Sequence, residues 1–139
     1  MTITIGPDAD VDAVSADLSA RLYDFNAAAT GHRDGRRFAF TARDDEGRLR
    51  AGLAGWTWGG CGYVDVLWVD EDLRGQGLGD QLLAAAESTA REAGCDRMAL
   101  ATHTFQAPDF YRARGYRVVG TIDGYPHGHA QLQLVKPLR

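Results

Sequence analysis

The pattern of apolar and polar residues in the first half of the chain predicts a strand, a helical region and then three more strands. Residues 1–5 alternate Thr with Ile, which favours a short strand. Residues 8–29 carry apolar side chains at spacings of three and four, which is typical of one or two amphipathic helices. Three strands are then predicted over residues 37–42, 49–58 and 62–69, with a hairpin turn at Gly47 and a tight turn at Gly59 and Gly60.

The pattern becomes helical after residue 69. Residues 77–93 place one apolar face on a helix that ends at Gly94, and this face is formed by Leu78, Leu82, Leu83, Ala86 and Ala90. The remaining predicted elements are a buried strand at 98–102, a short helix over 108–114 that begins with Pro108, and strands over 116–121 and 129–135. We therefore expect a mixed α/β (α+β) layered fold, with a right-handed parallel strand–helix–strand crossover over residues 62–102.

Composition narrows the class of protein. The length of 139 residues suits a single domain over 1–139, and 45% hydrophobic residues are enough for a core. A net charge of −4 argues against nucleic acid as a partner, and no apolar run is long enough to span a membrane. Cys61 and Cys95 are too few for a disulfide scaffold and lack the spacing of a zinc site. We expect a cytoplasmic protein.

A glycine-rich turn at the start of the 77–93 helix is the first candidate for chemistry. Gly75, Gly77 and Gly79 lie beside Arg74 where the helix begins. A helix N-terminus presents unpaired N–H groups to an anion, and glycines let a phosphate approach them. The alternative is an ordinary strand-to-helix turn that needs positive φ angles. The turn is neither a P-loop, because Asp80 follows Gly79, nor a dinucleotide-binding turn, because the glycine spacing differs.

Two segments together resemble the GNAT superfamily of N-acetyltransferases. The first, "RGQGLG", fits the pattern Gln/Arg-x-x-Gly-x-Gly/Ala and follows the apolar strand that ends "LWVDEDL". The second, "APDFYRARGY", is similar to a later segment of the family with Tyr111 and a closing Gly-aromatic pair. The resemblance covers nearly the whole chain. It implies a central mixed sheet of six to seven strands, splayed between the strands at 62–69 and 97–102, flanked by helices and able to bind acetyl-CoA.

The resemblance also implies which residues contact the cofactor. The pyrophosphate of CoA would lie on the glycine-rich turn, formed by Arg74, Gly75, Gln76, Gly77, Leu78 and Gly79. The pantetheine arm would pair with the backbone of the preceding strand at Leu67, Trp68 and Val69. Tyr111 matches the general acid that protonates the departing thiolate and contacts the cofactor. Thr104 stands where many relatives have an asparagine that contacts pantetheine, which weakens the expectation of a side-chain contact there.

The base and the acceptor pocket are less closely defined by the resemblance. Asp65 is the one charge in the apolar run "YVDVLWV", and strand alternation predicts that it shares a side with Tyr63, Leu67 and Val69. A carboxylate in partly apolar surroundings suits a base that works near neutral pH; the alternatives are an ammonium-binding group, an ion-paired side chain or a solvent-facing one. The acceptor pocket is predicted to involve Phe25, Asn26, Tyr125 and His127. The His103, His127 and His129 set lacks convincing metal-ligand spacing, and the resemblance implies an enzyme that needs no metal.

The leading hypothesis is an N-acetyltransferase that moves an acetyl group from acetyl-CoA directly to the primary amine of a small molecule. Acidic side chains near the predicted pocket, Asp65 and Asp123, favour a cationic acceptor. One alternative is transfer to a peptide or protein amine. Another is a non-catalytic acyl-CoA-binding sensor or interaction module. Family members are often dimers, so a homodimer is also consistent with the resemblance.

Overall fold

The computed structural model describes all residues from 1 to 139 and divides into two compact units, residues 1–33 and 34–139. The first unit contains one helix, α1 (Val11–Thr30), where one or two were predicted. The Asp10 side chain accepts from the Ala13 N–H at its start, and Gly31 ends it in the left-handed conformation. The strand predicted at residues 1–5 is wrong. Alternation satisfies the side-chain pattern of a strand, but a strand also requires a hydrogen-bonded neighbour.

The second unit contains the mixed sheet. Its elements are β1 (Arg36–Arg43), β2 (Leu49–Trp58), β3 (Cys61–Val69), a 3₁₀ turn (Glu71–Leu73), α2 (Leu78–Glu92), β4 (Arg97–His103), α3 (Pro108–Arg112), β5 (Arg117–Asp123) and β6 (Ala130–Pro137). The six strands lie in the order β1-β2-β3-β4-β6-β5, and only the β3–β4 pair is parallel. The predicted mixed fold and the parallel crossover are confirmed. No helix in the structure is both long and apolar enough to cross a membrane.

Helix α2 supplies one side of the core of the second unit. Its buried apolar residues are the ones that the helical spacing predicted, apart from the half-buried Leu78. They belong to one cluster with side chains from strands β2, β3, β4 and β6, among them Leu53, Val64, Met98, Leu100 and Leu134. Burial of these side chains is the main favourable term that holds the helix on the sheet. The packing fixes the position of the first turn of α2 beside the end of β3.

Strands β3 and β4 pair only over their first halves. The parallel register runs from Cys61↔Arg97 to Val64↔Leu100 and then stops, although both strands continue. From Asp65 to Val69 the side of β3 that faces away from β2 therefore has no strand neighbour. The predicted splay between these two strands is confirmed, and it opens toward their carboxyl ends.

A β-bulge at Asp65 marks the point where the splay begins. Ala54 pairs with Val66 and Gly55 pairs with Val64, so Asp65 is an extra residue with no partner in β2. A bulge bends its strand and increases the local twist. Gly55 makes this bulge sterically feasible, because a Cβ at that position would collide with the Tyr63 carbonyl oxygen. The bulge is thus positioned to turn β3 away from β4.

The bulge also reverses the alternation of side chains along β3. Val64 lies in the core, and beyond the bulge Leu67 packs against the same core, opposite the buried Leu53. Tyr63 lies on the other face, where its ring stacks on that of Trp56. The prediction that Tyr63, Asp65, Leu67 and Val69 share one side is therefore wrong. The inserted residue shifts the period-two pattern by one position.

Candidate active site

The glycine-rich turn leaves the start of α2 uncapped by any side chain. Gly77 is the N-cap residue, with φ of 87°, and no side chain caps the N–H groups of the first turn. Gly75 also has a positive φ, of 78°, and a Cβ there would meet nothing within 4 Å. These two glycines are thus explained by backbone conformation. The unpaired N–H groups of the first turn, with the positive end of the helix dipole, form a cradle suited to a phosphate.

The third glycine of the turn has a different role. A Cβ on Gly79 would lie 3.3 Å from Cζ of Phe110, so the absence of a side chain lets α3 pack closely against α2. Arg114 strengthens the same junction: its guanidinium lies 3.8 Å from the Phe110 ring centroid, and its Nε donates to Oδ1 of Asp80 at 2.7 Å. These contacts hold the Tyr111-bearing helix beside the glycine-rich turn.

Arg74 supports the turn from within the chain. Its Nε donates to the Val69 carbonyl oxygen at 2.9 Å, and its guanidinium lies 4.8 Å from the Trp68 ring centroid. The Trp68 indole in turn donates to Oδ1 of Asp70 at 2.9 Å. The side chain of Arg74 is exposed, and these contacts direct it along the end of β3. Its contribution to an anion site would supplement the backbone amides.

Arg50 anchors the segment before the turn and was not singled out from the sequence. Its Nε donates to Asp70 at 2.8 Å, and its Nη2 donates to Asp72 at 2.6 Å. The ion pair with Arg50 lowers the pKa of the Asp70 carboxyl, and the bond from Trp68 adds to that effect. The pairing joins residues 20 positions apart, so no local pattern in the sequence indicates it.

Tyr111 is buried, but its hydroxyl remains available. The residue is 8% exposed on α3, and burial raises the pKa of its phenol. No group of the chain hydrogen-bonds the hydroxyl, and no fully buried side-chain oxygen or nitrogen lacks a partner. The hydroxyl oxygen therefore reaches accessible surface. A protonated phenol in this setting is suited to donate a proton to a group bound outside the core.

The buried carboxylate of Glu87 binds Tyr116, whose ring in turn packs on the ring of Tyr111. The hydroxyl of Tyr116 donates to Oε2 of Glu87 at 2.7 Å, and Nζ of Lys136 donates to Oε1 at 2.8 Å. The Tyr116 ring packs edge-to-face on the Tyr111 ring with centroids 5.8 Å apart. Sequence reasoning did not single out Glu87 and Lys136, but two features could have indicated them. Glu87 adjoins the apolar face of α2, and Lys136 is the only lysine.

The other predicted site residues occupy four regions. Asp65 is exposed at the bulge of β3. The Thr104 hydroxyl accepts from the Ala130 N–H at 3.2 Å, so its side chain fastens the loop after β4 to β6. Tyr125 and His127 lie in the β5–β6 loop. Phe25 and Asn26 lie on α1 in the 1–33 unit, and their role in an acceptor pocket stays a prediction.

Comparison with known proteins gives the family. The sequence profile of the Acetyltransferase (GNAT) family matches residues 8–116. Blasticidin-S acetyltransferase from Streptomyces morookaense is 45% identical over 105 residues, which are 73% of this chain and 75% of that protein. Acetyltransferase Atu2258 from Agrobacterium fabrum is 33% identical and covers 98% of both chains. The chain belongs to the GNAT acetyltransferase family.

Solved structures agree with this GNAT assignment. The crystal structure of an acetyltransferase from Agrobacterium tumefaciens, described there as putative, superimposes with a TM-score of 0.86 at 33% identity, covering 99% of both chains. A nourseothricin acetyltransferase structure has a TM-score of 0.66 at 28% identity and covers 77% of this chain and 67% of its own. The GNAT chain is thus an acetyltransferase. It has no group of three or more His, Cys, Asp or Glu side chains placed to hold a metal ion.

Proposed function

We propose that this chain transfers an acetyl group from acetyl-CoA directly to the primary amine of a small molecule. One observation carries the proposal. The free edge of β3, where pairing with β4 has stopped, runs into a glycine-rich turn whose helix start has no side-chain cap. An extended edge with no strand neighbour suits the amides of pantetheine, although the Val69 carbonyl already accepts a bond from Arg74, and the helix start suits a pyrophosphate.

Each part of the site then has a defined task. The backbone of Leu67, Trp68 and Val69 pairs with the pantetheine arm, as an added strand would. The amides of the glycine-rich turn, from Arg74 to Gly79, bind the pyrophosphate, and Thr104 lies at the neighbouring end of β4. Acetyl-CoA supplies the activated thioester. The residues fit this group because the turn presents backbone donors and leaves open space above Gly75.

Proton transfer involves two side chains. During transfer an N–C bond to the acetyl group forms and the C–S bond of the thioester breaks. The Tyr111 hydroxyl donates its proton to the departing sulfur, and burial keeps that phenol protonated at neutral pH. Exposed Asp65 attracts the ammonium form of the acceptor into the splay, and it is also the candidate to accept its proton.

The test has two stages. Calorimetric titration with acetyl-CoA examines the cofactor site; absence of binding at high micromolar acetyl-CoA rejects the proposal. A thiol-release assay over a panel of small amines then measures transfer, with mass spectrometry to locate the acetyl group on nitrogen. Blasticidin S belongs in the panel, because a relative is named for it. Clear cofactor binding without CoA release from any amine would favour the sensor hypothesis.

A further inference from the structure

Four rings from two separate segments form one cluster beyond the end of β4. His103 stacks on Phe105 with centroids 5.4 Å apart, and Tyr125 meets His103 edge-on at 5.1 Å. His129 meets Phe105 edge-on at 4.9 Å. We call His103, Phe105, Tyr125 and His129 the aromatic cluster. Its rings face solvent to an unusual degree, because Phe105 is 55% exposed and Tyr125 is 50% exposed.

Hydrogen bonds to backbone groups hold the two segments of the cluster in place. The N–H of Thr104 donates to the Ala130 carbonyl at 2.9 Å, which joins the two segments. Gln106 accepts from the His103 N–H at 2.7 Å. Nδ1 of His103 lies 3.1 Å from the Tyr125 carbonyl oxygen, so this nitrogen carries the proton and donates. Rings that are ordered before a ligand arrives reduce the entropic cost of binding.

The topology places the cluster at the open end of the splay. His103 is the last residue of β4, which loses its pairing with β3 after Leu100. The loop that carries Tyr125 and His129 joins β5 to β6, and β6 pairs with β4 as far as His103↔Gln131. Helix α3, with Tyr111, begins at Pro108, a few residues after Phe105. The cluster thus lies on the side of the splay opposite the bulge at Asp65.

Charge around the cluster favours an amine over an anion. Residues 101–107 and 123–129 contain no Lys or Arg, and Asp123 is their only acidic residue. A phosphate or carboxylate would therefore meet no Lys or Arg from these two segments. A flat ring can lie against an exposed aromatic face, and a neighbouring ammonium gains from the negative face of the same rings.

We propose that the aromatic cluster is the acceptor specificity site and that it binds an amine carrying a planar unsaturated ring. The assignment rests on the proposed function, because it takes the open end of the splay as the place where the acceptor enters. The ring of the acceptor lies against Phe105 and Tyr125, and its amine extends toward the region between β3 and β4.

The test compares two amines that differ only in the ring, 2-phenylethylamine and 2-cyclohexylethylamine. Wild type should show a kcat/KM about two- to tenfold higher for the phenyl compound. Phe105→Leu and Tyr125→Leu should each reduce this preference toward one, while Val119→Ala, which changes an exposed residue outside the cluster, should keep it. Thermal melting of each variant confirms that it is folded.

A binding measurement separates this proposal from the proposed function. Saturation-transfer NMR with the same two amines, in the presence of CoA, reports the ring preference without turnover. A preference that is lost in Phe105→Leu supports the cluster even if no acetyl transfer occurs. Acetyl transfer with no ring preference in wild type, or a preference that survives in the Phe105→Leu/Tyr125→Leu double variant, would overturn the assignment of the cluster and leave the proposed function standing.

Discussion

The hydroxyl of Tyr116 donates a 2.7 Å hydrogen bond to the carboxylate of Glu87 inside the core of the 34–139 unit. Tyr116 is 2% exposed and Glu87 is 6% exposed, so both groups are largely removed from solvent. The ring of Tyr116 supports the ring of Tyr111, the proposed acid. The side chains that pack behind Tyr111 therefore include a buried polar pair. Loss of the hydrogen bond within this pair should have a measurable effect on stability.

Removal of this hydroxyl should lower stability and change its dependence on alkaline pH. Tyr116→Phe is expected to cost about 1–3 kcal/mol, because the bond goes to a charged acceptor in the core. Burial, and then the bond to Glu87, raises the pKa of Tyr116 in the folded state. In the unfolded chain the Tyr116 phenol ionises at about pH 10. The stabilisation that this hydroxyl contributes is therefore complete below about pH 10 and is lost as the pH rises toward the pKa of the phenol in the folded state.

Denaturant unfolding at several pH values between 8 and 11 checks this prediction. Above about pH 10, the free energy of unfolding should fall more steeply with pH in wild type than in Tyr116→Phe, by about 1.4 kcal/mol per pH unit. Tyr125→Phe, at an exposed ring, serves as the control. Equal slopes in wild type and Tyr116→Phe would show that the hydroxyl is not held in the core as described.

Tyr111→Phe should reduce turnover far more than cofactor affinity. The ring and its packing on Phe110 and Tyr116 are kept, so only the proton donor is lost. A general acid contributes about 100- to 10,000-fold, and we expect a loss of kcat in that range with the Kd for acetyl-CoA changed less than about threefold. Steady-state kinetics and calorimetry measure the two quantities. An unchanged kcat would remove Tyr111 from the mechanism.

Much of the fold could be predicted because the local patterns are strong. The 49–58 strand has the predicted bounds, and helix α2 differs from its prediction by one residue at each end. The bulge at Asp65 could not be predicted, since it depends on how β2 pairs with β3. One extra residue was enough to make the predicted grouping of side chains on β3 wrong, while the splay itself was confirmed.

Gly77→Ala should weaken acetyl-CoA binding beyond its effect on stability. Gly77 has a φ of 87°, and a side chain there is strained and crowds the approach to the helix start. Gly47→Ala is the matched control, because Gly47 has a φ of 79° in the hairpin between β1 and β2. Both changes should cost about 1 kcal/mol of unfolding free energy. Calorimetry should find weaker acetyl-CoA binding for Gly77→Ala alone; equal affinities would argue for a purely structural turn.

The site was harder to predict than the fold because its parts meet only in three dimensions. The glycine-rich turn and Tyr111 could be proposed as site residues because they belong to contiguous motifs. The aromatic cluster joins residues 103–105 to residues 125–129, and the ion pairs of Arg50 join β2 to the segment after β3. No spacing in the sequence marks such contacts. Arg74 was assigned to the anion site from the motif, whereas its side chain also binds the Val69 carbonyl.

Asp65→Asn should raise the KM for a cationic amine about two- to fivefold and leave kcat nearly unchanged, because an exposed charge pair contributes at most about 1 kcal/mol. Steady-state kinetics at low and high salt test this, since added salt should reduce the difference between wild type and variant. A large fall in kcat with loss of the acidic limb of the pH–rate profile would instead assign Asp65 as the base. No change in either constant would remove it from the site.

Amide hydrogen exchange with and without acetyl-CoA reports on the backbone groups to which we assign cofactor binding. We expect slower exchange on binding in two places, residues 65–69 along the free edge of β3 and residues 75–80 at the start of α2, with little change in the β1–β2 hairpin. If saturating acetyl-CoA protects neither segment while calorimetry shows binding, the cofactor does not bind where we propose.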